Sequence, residues 1–296
     1  LGFGVIAGGV DVVNWGRVVN VVLSWVISPV MGGLFAYLVF QYINKAIFST
    51  RRPLAHAKEL LPFIVSVVFF ILSIAICYKG LKNLHLDLAF SNVLLIAFVM
   101  GILGFFLSKV LVRYIPDDDS KDFAHQFNTT ENLFKYLQIL TAFYIAFAHG
   151  SNDVANAVGP LAAVVSILDG GVVGMKVAMP IWILGLGGGF IVFGLMVWGY
   201  RVMATVGENI TDITPSRGFC ATFGAASVVL ICSKMGLPIS TTHTLVGSII
   251  GVGLARGLPT LNLGIIKMIF ISWVTTIPFT AIISMIFFKA FLLFLP

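Results

Sequence analysis

The sequence predicts an all-α, polytopic membrane protein with discontinuous helices, and three observations predict it. Hydrophobic residues make up 59% of the chain against 10% charged, with a mean hydropathy of +1.04. Apolar runs of membrane-span length recur from one end to the other. Two more apolar runs are broken midway by polar residues and helix breakers. A soluble fold of 296 residues has no interior large enough for so much apolar side chain, so the solvent is largely lipid.

Five runs reach the roughly 20 apolar residues that a hydrocarbon core of about 30 Å demands of a helix. They are Val18–Ile43, interrupted by Pro29, Gly32 and Gly33, then Leu61–Tyr78, Asn92–Val112, Val177–Tyr200 and Gly264–Phe288. The two broken runs are different. Tyr136–Leu168 stops at His149-Gly150-Ser151-Asn152-Asp153 and resumes at Val154. Gly218–Ala255 stops at Lys234-Met235-Gly236-Leu237-Pro238, passes Ser240-Thr241-Thr242-His243 and resumes to Leu254. Irregular backbone at membrane depth survives only where protein or a wet cavity surrounds it. Paired interrupted spans are therefore the strongest pointer to a binding site.

The net charge of +6 would suggest nucleic acid in a soluble protein. Here Lys and Arg collect between the apolar runs, and no aromatic–basic interleaving of a single-strand binder occurs, so nucleic acid is excluded as a partner. Loop Asn44–Leu60, with Lys45, Arg51, Arg52 and Lys58, is expected on the cytoplasmic side. Counting spans puts Arg113–Lys135, with Asp117–Asp119 and the polar run His125–Asn132, on that side too, as a solvated loop. Cys77, Cys220 and Cys232 lie in apolar stretches with no CxxC pair and read as packing residues. No His/Cys/Asp/Glu spacing resembles a zinc site. The glycines of Gly185–Gly189 lie mid-span with no strand before them, which fits close helix approach and not a nucleotide loop.

A repeat joins the two ends of the chain. Leu1-Gly2-Phe3-Gly4, Asn14-Trp15-Gly16 and Ser24-Trp25-Val26 recur as Ile250-Gly251-Val252-Gly253, Asn262-Leu263-Gly264 and Ser272-Trp273-Val274, with a one-residue gap. The second copy follows the Ser240–His243 segment directly, whereas the first begins at residue 1. The chain is thus expected to be the C-terminal part of a longer protein, N-terminally truncated. It divides into 1–43, the tail of a first transport repeat; 44–135, scaffold helices and a cytoplasmic connecting loop; and 136–296, a second repeat.

Among the acidic residues Asp153 sits in the middle of a broken apolar segment. An ionised carboxylate there is costly unless a cation meets it. Asn152 and Asn156, four positions apart, share a face with it if helix begins there, and these oxygens suit Na⁺ or H⁺. Ser151, Asn152 and Asp153 are equally good N-caps for Val154 onward, and a capped helix N-terminus attracts anions. Ser240, Thr241 and Thr242 open the half-helix to Leu254, and their hydroxyls with free N–H groups can hold a tetrahedral oxyanion. His149 and His243 flank the two segments as hydrogen-bonding or proton-carrying residues. Arg217 is either an interfacial anchor or a fork of donors for the anion. Ser240 and His243 can be drawn as nucleophile and base, but no orienting acid is near in sequence, so no enzyme is expected.

The run Gly150-Ser151-Asn152-Asp153-Val154-Ala155-Asn156-Ala157 closely resembles the signature of the inorganic phosphate transporter (PiT) family, usually written GANDVANA, with Ser151 in place of the commoner Ala. The resemblance continues through Val158-Gly159-Pro160, Thr214–Phe219 and Gly236–His243. It implies an inverted-repeat transporter and secondary active phosphate uptake by symport with Na⁺ or H⁺. Asn152, Asp153 and Asn156 would hold the cation, and Ser151, Ser240, Thr241 and Thr242 the phosphate, with His149, Arg217 and His243 auxiliary. The resemblance also implies that both repeats build one site. The expected partners are inorganic phosphate, the coupling cation and the lipid bilayer of the plasma (cell inner) membrane, with a homodimer as a further option and no cofactor. The alternatives are a permease for sulfate or another tetrahedral oxyanion, and a cation channel. Two half-sites at mid-membrane fit occlusion better than an open pore.

Overall fold

The computed structural model describes residues 1–80, 88–115, 122–168 and 180–294. Nine α-helices follow one another among these residues, and no strand occurs: α1 Gly2–Gly8, α2 Trp15–Ile43, α3 Pro53–Ala75, α4 Phe90–Arg113, α5 Phe123–Leu168, α6 Ile181–Glu208, α7 Pro215–Lys234, α8 Thr241–Arg256 and α9 Leu263–Phe294. Seven helices are long and apolar enough to cross a membrane, α2 to α7 and α9. The protein is an integral membrane protein. Asp117–Asp119 and Val177–Met179 lie outside the described residues.

Local sequence sets the helix ends. Asn14 caps α2 by accepting the Arg17 N–H at 3.1 Å, and Pro53 and Pro215 open α3 and α7, where a missing N–H costs nothing. Gly9 and Gly257, at φ 84° and 107°, close α1 and α8 in backbone that a side chain would strain. The break expected between Lys234 and Ser240 is present: Gly236 turns at φ 70° and Ser240 caps α8. Pro29, Gly32 and Gly33, by contrast, do not interrupt α2. The polar run His125–Asn132 lies in α5 and not in a loop, with Gln126 and Thr130 buried against the protein.

The core lies where α2, α5, α7 and α8 meet. Phe134, Tyr144, Ala226 and Ala36 are fully buried there, and Phe219 stacks on Phe223. Helix α7 is 72% buried over its most apolar window, whereas the corresponding window of α9 is 0% buried. That contrast explains why α7 can carry Ser, Thr and Cys at membrane depth. Cys220 and Cys232 are buried free thiols in this packing, and Cys77 is another in the π-helical turn Ile76–Gly80 that follows α3.

Helices α2 and α8 lie side by side and run the same way. Trp25 meets His243 toward one end, and Gly33 meets Gly251 further along. Their contact is stripped of side chain: a Cβ on Gly247 would collide with the Pro29 carbonyl, and one on Gly251 with the Gly33 carbonyl. Small residues of this kind let backbones approach where lipid offers no hydrophobic drive. Helix α9 returns alongside α8, bringing Trp273 onto His243. The long helices of the two sequence copies, α2 and α9, therefore run in opposite senses.

The copies also make matching contacts. Gly2, the counterpart of Gly251, is pressed against the Ala281 carbonyl of α9. Asn262 caps α9 at the Ile265 N–H as Asn14 caps α2, and each cap follows a 3₁₀ turn after a positive-φ glycine.

Helix α5 braces the α7–α8 pair from outside. At its first half the Glu131 carboxylate accepts from Thr214 Oγ1 (3.0 Å), Ser216 N (3.0 Å) and Ser216 Oγ (2.8 Å), and so caps α7 from a neighbouring helix. Further along, Thr141 Oγ1 lies 2.8 Å from Thr222 Oγ1, and Tyr144 OH 3.4 Å from Ser227 Oγ.

Two outcomes are expected. Gly251→Val should force α2 and α8 apart and cost about 1–3 kcal/mol or more, seen as a lower unfolding temperature in detergent. Glu131→Ala should lower that temperature through loss of the α7 cap, about 1–2 kcal/mol.

Candidate functional site

The interruption expected at His149–Asp153 is absent, because α5 runs unbroken from Phe123 to Leu168. Gly150 is the weakest helix former there, and no proline follows until Pro160. The Ser151 hydroxyl donates back to the Ala148 carbonyl at 3.0 Å, a bond a helix accommodates. Ser151, Asn152 and Asp153 consequently project from the flank of a continuous helix and cap nothing. Asn156 belongs to the same helix, outside the residues whose side chains are described.

What α5 presents on that flank meets the start of α8. Asp153 Oδ2 accepts from Thr241 Oγ1 at 2.6 Å and lies 2.6 Å from His149 Nε2, one helical turn earlier. Asn152 Nδ2 donates to Asp153 Oδ1 at 3.0 Å and reaches the Ile239 carbonyl at 3.4 Å. The last bond ties α5 to the backbone of the α7–α8 break. Ser240 Oγ accepts the His243 N–H at 3.3 Å, and Thr244 Oγ1 donates to the Ser240 carbonyl at 2.7 Å, closing the first turn of α8.

Thr241 is buried and Thr242 exposed, so only the former's hydroxyl reaches the carboxylate. His149 and Asp153 keep 51% and 27% of their side chains accessible, which leaves the cluster open on one side. The Asp153 carboxylate and the Ile239 carbonyl are hard oxygens suited to Na⁺, and the Asn152 amide nitrogen lies between them. The N-terminus of α8 beside them contributes partial positive charge and free N–H groups suited to an oxyanion.

His149, Asn152, Asp153, Ser240, Thr241 and His243 are thus brought together. Arg217 is not: it donates to the Asp212 carbonyl at 2.9 Å and faces Arg256, at the opposite ends of α7 and α8. The α7 N-terminus beside it is taken up by Glu131 and offers no vacant anion site. The Ser240–His243 pairing runs through the backbone N–H of His243, whose ring stacks on Trp273 at 3.6 Å and 18°, so no nucleophile–base pair forms. Sequence reasoning missed two contributors at this junction, the Ile239 carbonyl and Trp273, and the Glu131 cap at the far end of α7. Backbone atoms and helix-to-helix caps leave no mark in a motif, whereas Trp273 was visible within the repeat without any chemistry attached.

Comparison with known proteins gives this geometry its context. A family model described as the phosphate transporter family matches residues 1–284. A protein of Pyrococcus horikoshii named as a phosphate permease is 44% identical over 294 residues, covering 99% of this chain and 70% of that one. One of Haemophilus influenzae with the same kind of name is also 44% identical, over 97% of this chain and 69% of the relative. The chloroplastic inorganic phosphate transporter 2-1 of Arabidopsis thaliana is 39% identical over 97% of this chain and 52% of its own length. A solved structure titled as the sodium-dependent phosphate transporter superposes with a TM-score of 0.87 at 41% identity, across 99% of this chain and 71% of that one. With its helical architecture and nearly its whole length matched, the chain belongs to the phosphate transporter family.

Proposed function

We propose that this protein carries inorganic phosphate across a membrane by symport with a cation, and that the α5–α8 junction is its half of the substrate site. Asp153 and Asn152, with Asn156 on the same helix, hold the cation. Thr241, Ser240, Thr242 and the N–H groups of α8's first turn hold the phosphate. The oppositely directed α2 and α9 support an inverted repeat, and a sodium-dependent structural neighbour supports Na⁺ as the coupling ion. The family is one of transporters, which supports the reading that no bond is made or broken.

One observation carries the proposal: the Thr241 hydroxyl donates to Asp153. A hydroxyl has a single proton to give, so Thr241 cannot serve the carboxylate and a phosphate oxygen at once. A cation seated on Asp153 takes over the carboxylate's charge and displaces its donors, which frees Thr241 to turn toward phosphate. Coupling then follows from one shared hydrogen. Ser151 has a smaller part on this geometry, since its hydroxyl is spent on Ala148.

Asp153→Asn should abolish cation-driven phosphate uptake in proteoliposomes, a loss of about a hundredfold or more, with normal insertion. Near-normal cation-dependent uptake would sink the cation assignment. Thr241→Val keeps the shape and removes the hydroxyl, and should raise the phosphate KM about tenfold or more, the worth of a hydrogen bond to a charged group. An unchanged KM would leave Thr241 as a helix-packing residue only.

A further inference from the structure

The two Ser-Trp-Val segments, one from each copy of the repeat, end up on the same side chain. Trp273 of α9 stacks on His243 with ring centroids 3.6 Å apart and planes 18° from parallel. Trp25 of α2 meets the same imidazole edge-on at 6.1 Å and 68°. His243 is 8% exposed, and its Nδ1 is buried with no hydrogen-bond partner. Its ring is therefore held by the two indoles and by a hydrogen bond to the Trp25 backbone, so both of its anchors are the matched tryptophans.

The position of His243 matters because of what lies in the same turn. Its backbone N–H makes the capping bond to Ser240 Oγ, and Thr241, two residues earlier, reaches Asp153. Trp25 and Trp273 also line an apolar groove of about 760 Å³ between α2, α8 and α9, with Pro29, Gly33, Gly247 and Gly251 along its floor. One edge of the clamp is thus open to repacking, while the α2–α8 backbone contact beneath it is not.

We infer that Trp273, with Trp25 opposite it, is a positioning residue for transport: by gripping His243 it sets the first turn of α8, and with it the reach of Thr241 to Asp153. The inference rests on the reading of Thr241 as part of the substrate site. It assigns the matched tryptophans a shared task, since one histidine at the substrate end of α8 senses both copies of the repeat. A shift of α9 against α2 changes the stacking on His243 before it changes anything else in the turn. The clamp is consequently a contact that responds when substrate is bound.

Phosphate uptake by Trp273→Ala and Trp273→Phe in proteoliposomes tests this. Trp273→Ala should raise the phosphate KM about five- to tenfold at a near-normal amount of inserted protein, and Trp273→Phe, which keeps a ring against His243, should stay within about twofold of the native value. A lower maximal rate or amount with unchanged KM would mean that Trp273 only packs, and would overturn the inference. A second measurement does not depend on that variant's folding. With Trp15, Trp25, Trp182 and Trp198 replaced by Phe, emission from Trp273 should change on adding phosphate with Na⁺, and an unresponsive emission would also overturn it. Asp153→Asn run in parallel separates the two readings. Normal uptake by that variant together with a raised KM in Trp273→Ala would remove the cation assignment and leave the clamp, and the reverse pattern would remove the clamp alone.

Discussion

Hydrocarbon offers a polar group no partner, so each hydroxyl, carboxylate and broken helix end that this chain brings to membrane depth has to be satisfied by another part of the protein. The α5–α7–α8 arrangement follows from that constraint. Glu131 fills the N-terminus of α7, Thr141 and Tyr144 pair with Thr222 and Ser227 in the middle, and Asp153 receives Thr241 at the start of α8. Glu131 and Asp153 are about six turns apart on one helix, roughly 33 Å at 1.5 Å per residue and close to the thickness of a bilayer core. One continuous helix therefore spans the distance between the two ends of an interrupted pair, and that is reason enough for α5 not to break. Its length provides the ruler, and the break in α7–α8 provides the free backbone groups.

The second dependence is steric. Trp25 and His243 meet only because α2 and α8 approach backbone to backbone over Gly32, Gly33, Gly247 and Gly251. Any side chain along that stripe would separate the helices and lift α8 from the surface that fixes its first turn. The same arrangement recurs at Gly2 and Ala281, where α1 meets α9. Twin seams, α2 with α8 and α1 with α9, carry matched glycine approaches and matched asparagine caps, so one local solution is used twice. This is the geometry in which a site at the seam can feel both copies.

Much of this was legible in the sequence. The seven long apolar helices, the break at Gly236–Pro238 and the Ser240 cap all follow from apolar length and local breaker and capping residues. The juxtaposition of Asp153 with the Ser240–Thr242 segment needed the recognition that two polar interruptions in lipid must find each other. The break assigned to His149–Asp153 fails for a physical reason: polar residues do not end a helix when their side chains are satisfied from its flank, as Ser151 is by Ala148 and Asp153 by Thr241. Arg217 looked eligible because sequence distance to Thr241 says nothing about which end of an antiparallel pair a residue occupies. The polar stretch at His125–Asn132 looked like a loop because its partners, at Thr214 and Ser216, are more than eighty residues away.

Charge then explains why the proposed carrier has to be coupled. A phosphate oxygen about 5 Å from an ionised Asp153 meets a repulsion on the order of 3 kcal/mol at an effective dielectric of about 20, more than a hundredfold in affinity. The α8 N-terminus recovers only about 0.3–1 kcal/mol of that, and up to roughly 2 where it is partly buried. A monovalent cation on the carboxylate cancels the repulsion and, by withdrawing Asp153 from Thr241, returns a hydroxyl donor to the anion. On the proposed reading both effects act on the same atom pair, so neither ligand would be bound well alone. His149 occupies the remaining approach to Oδ2 and holds the carboxylate while the cation is away. On the proposed reading the half-filled site would carry an uncompensated charge, and that charge is what would tie the movement of one ligand to the other.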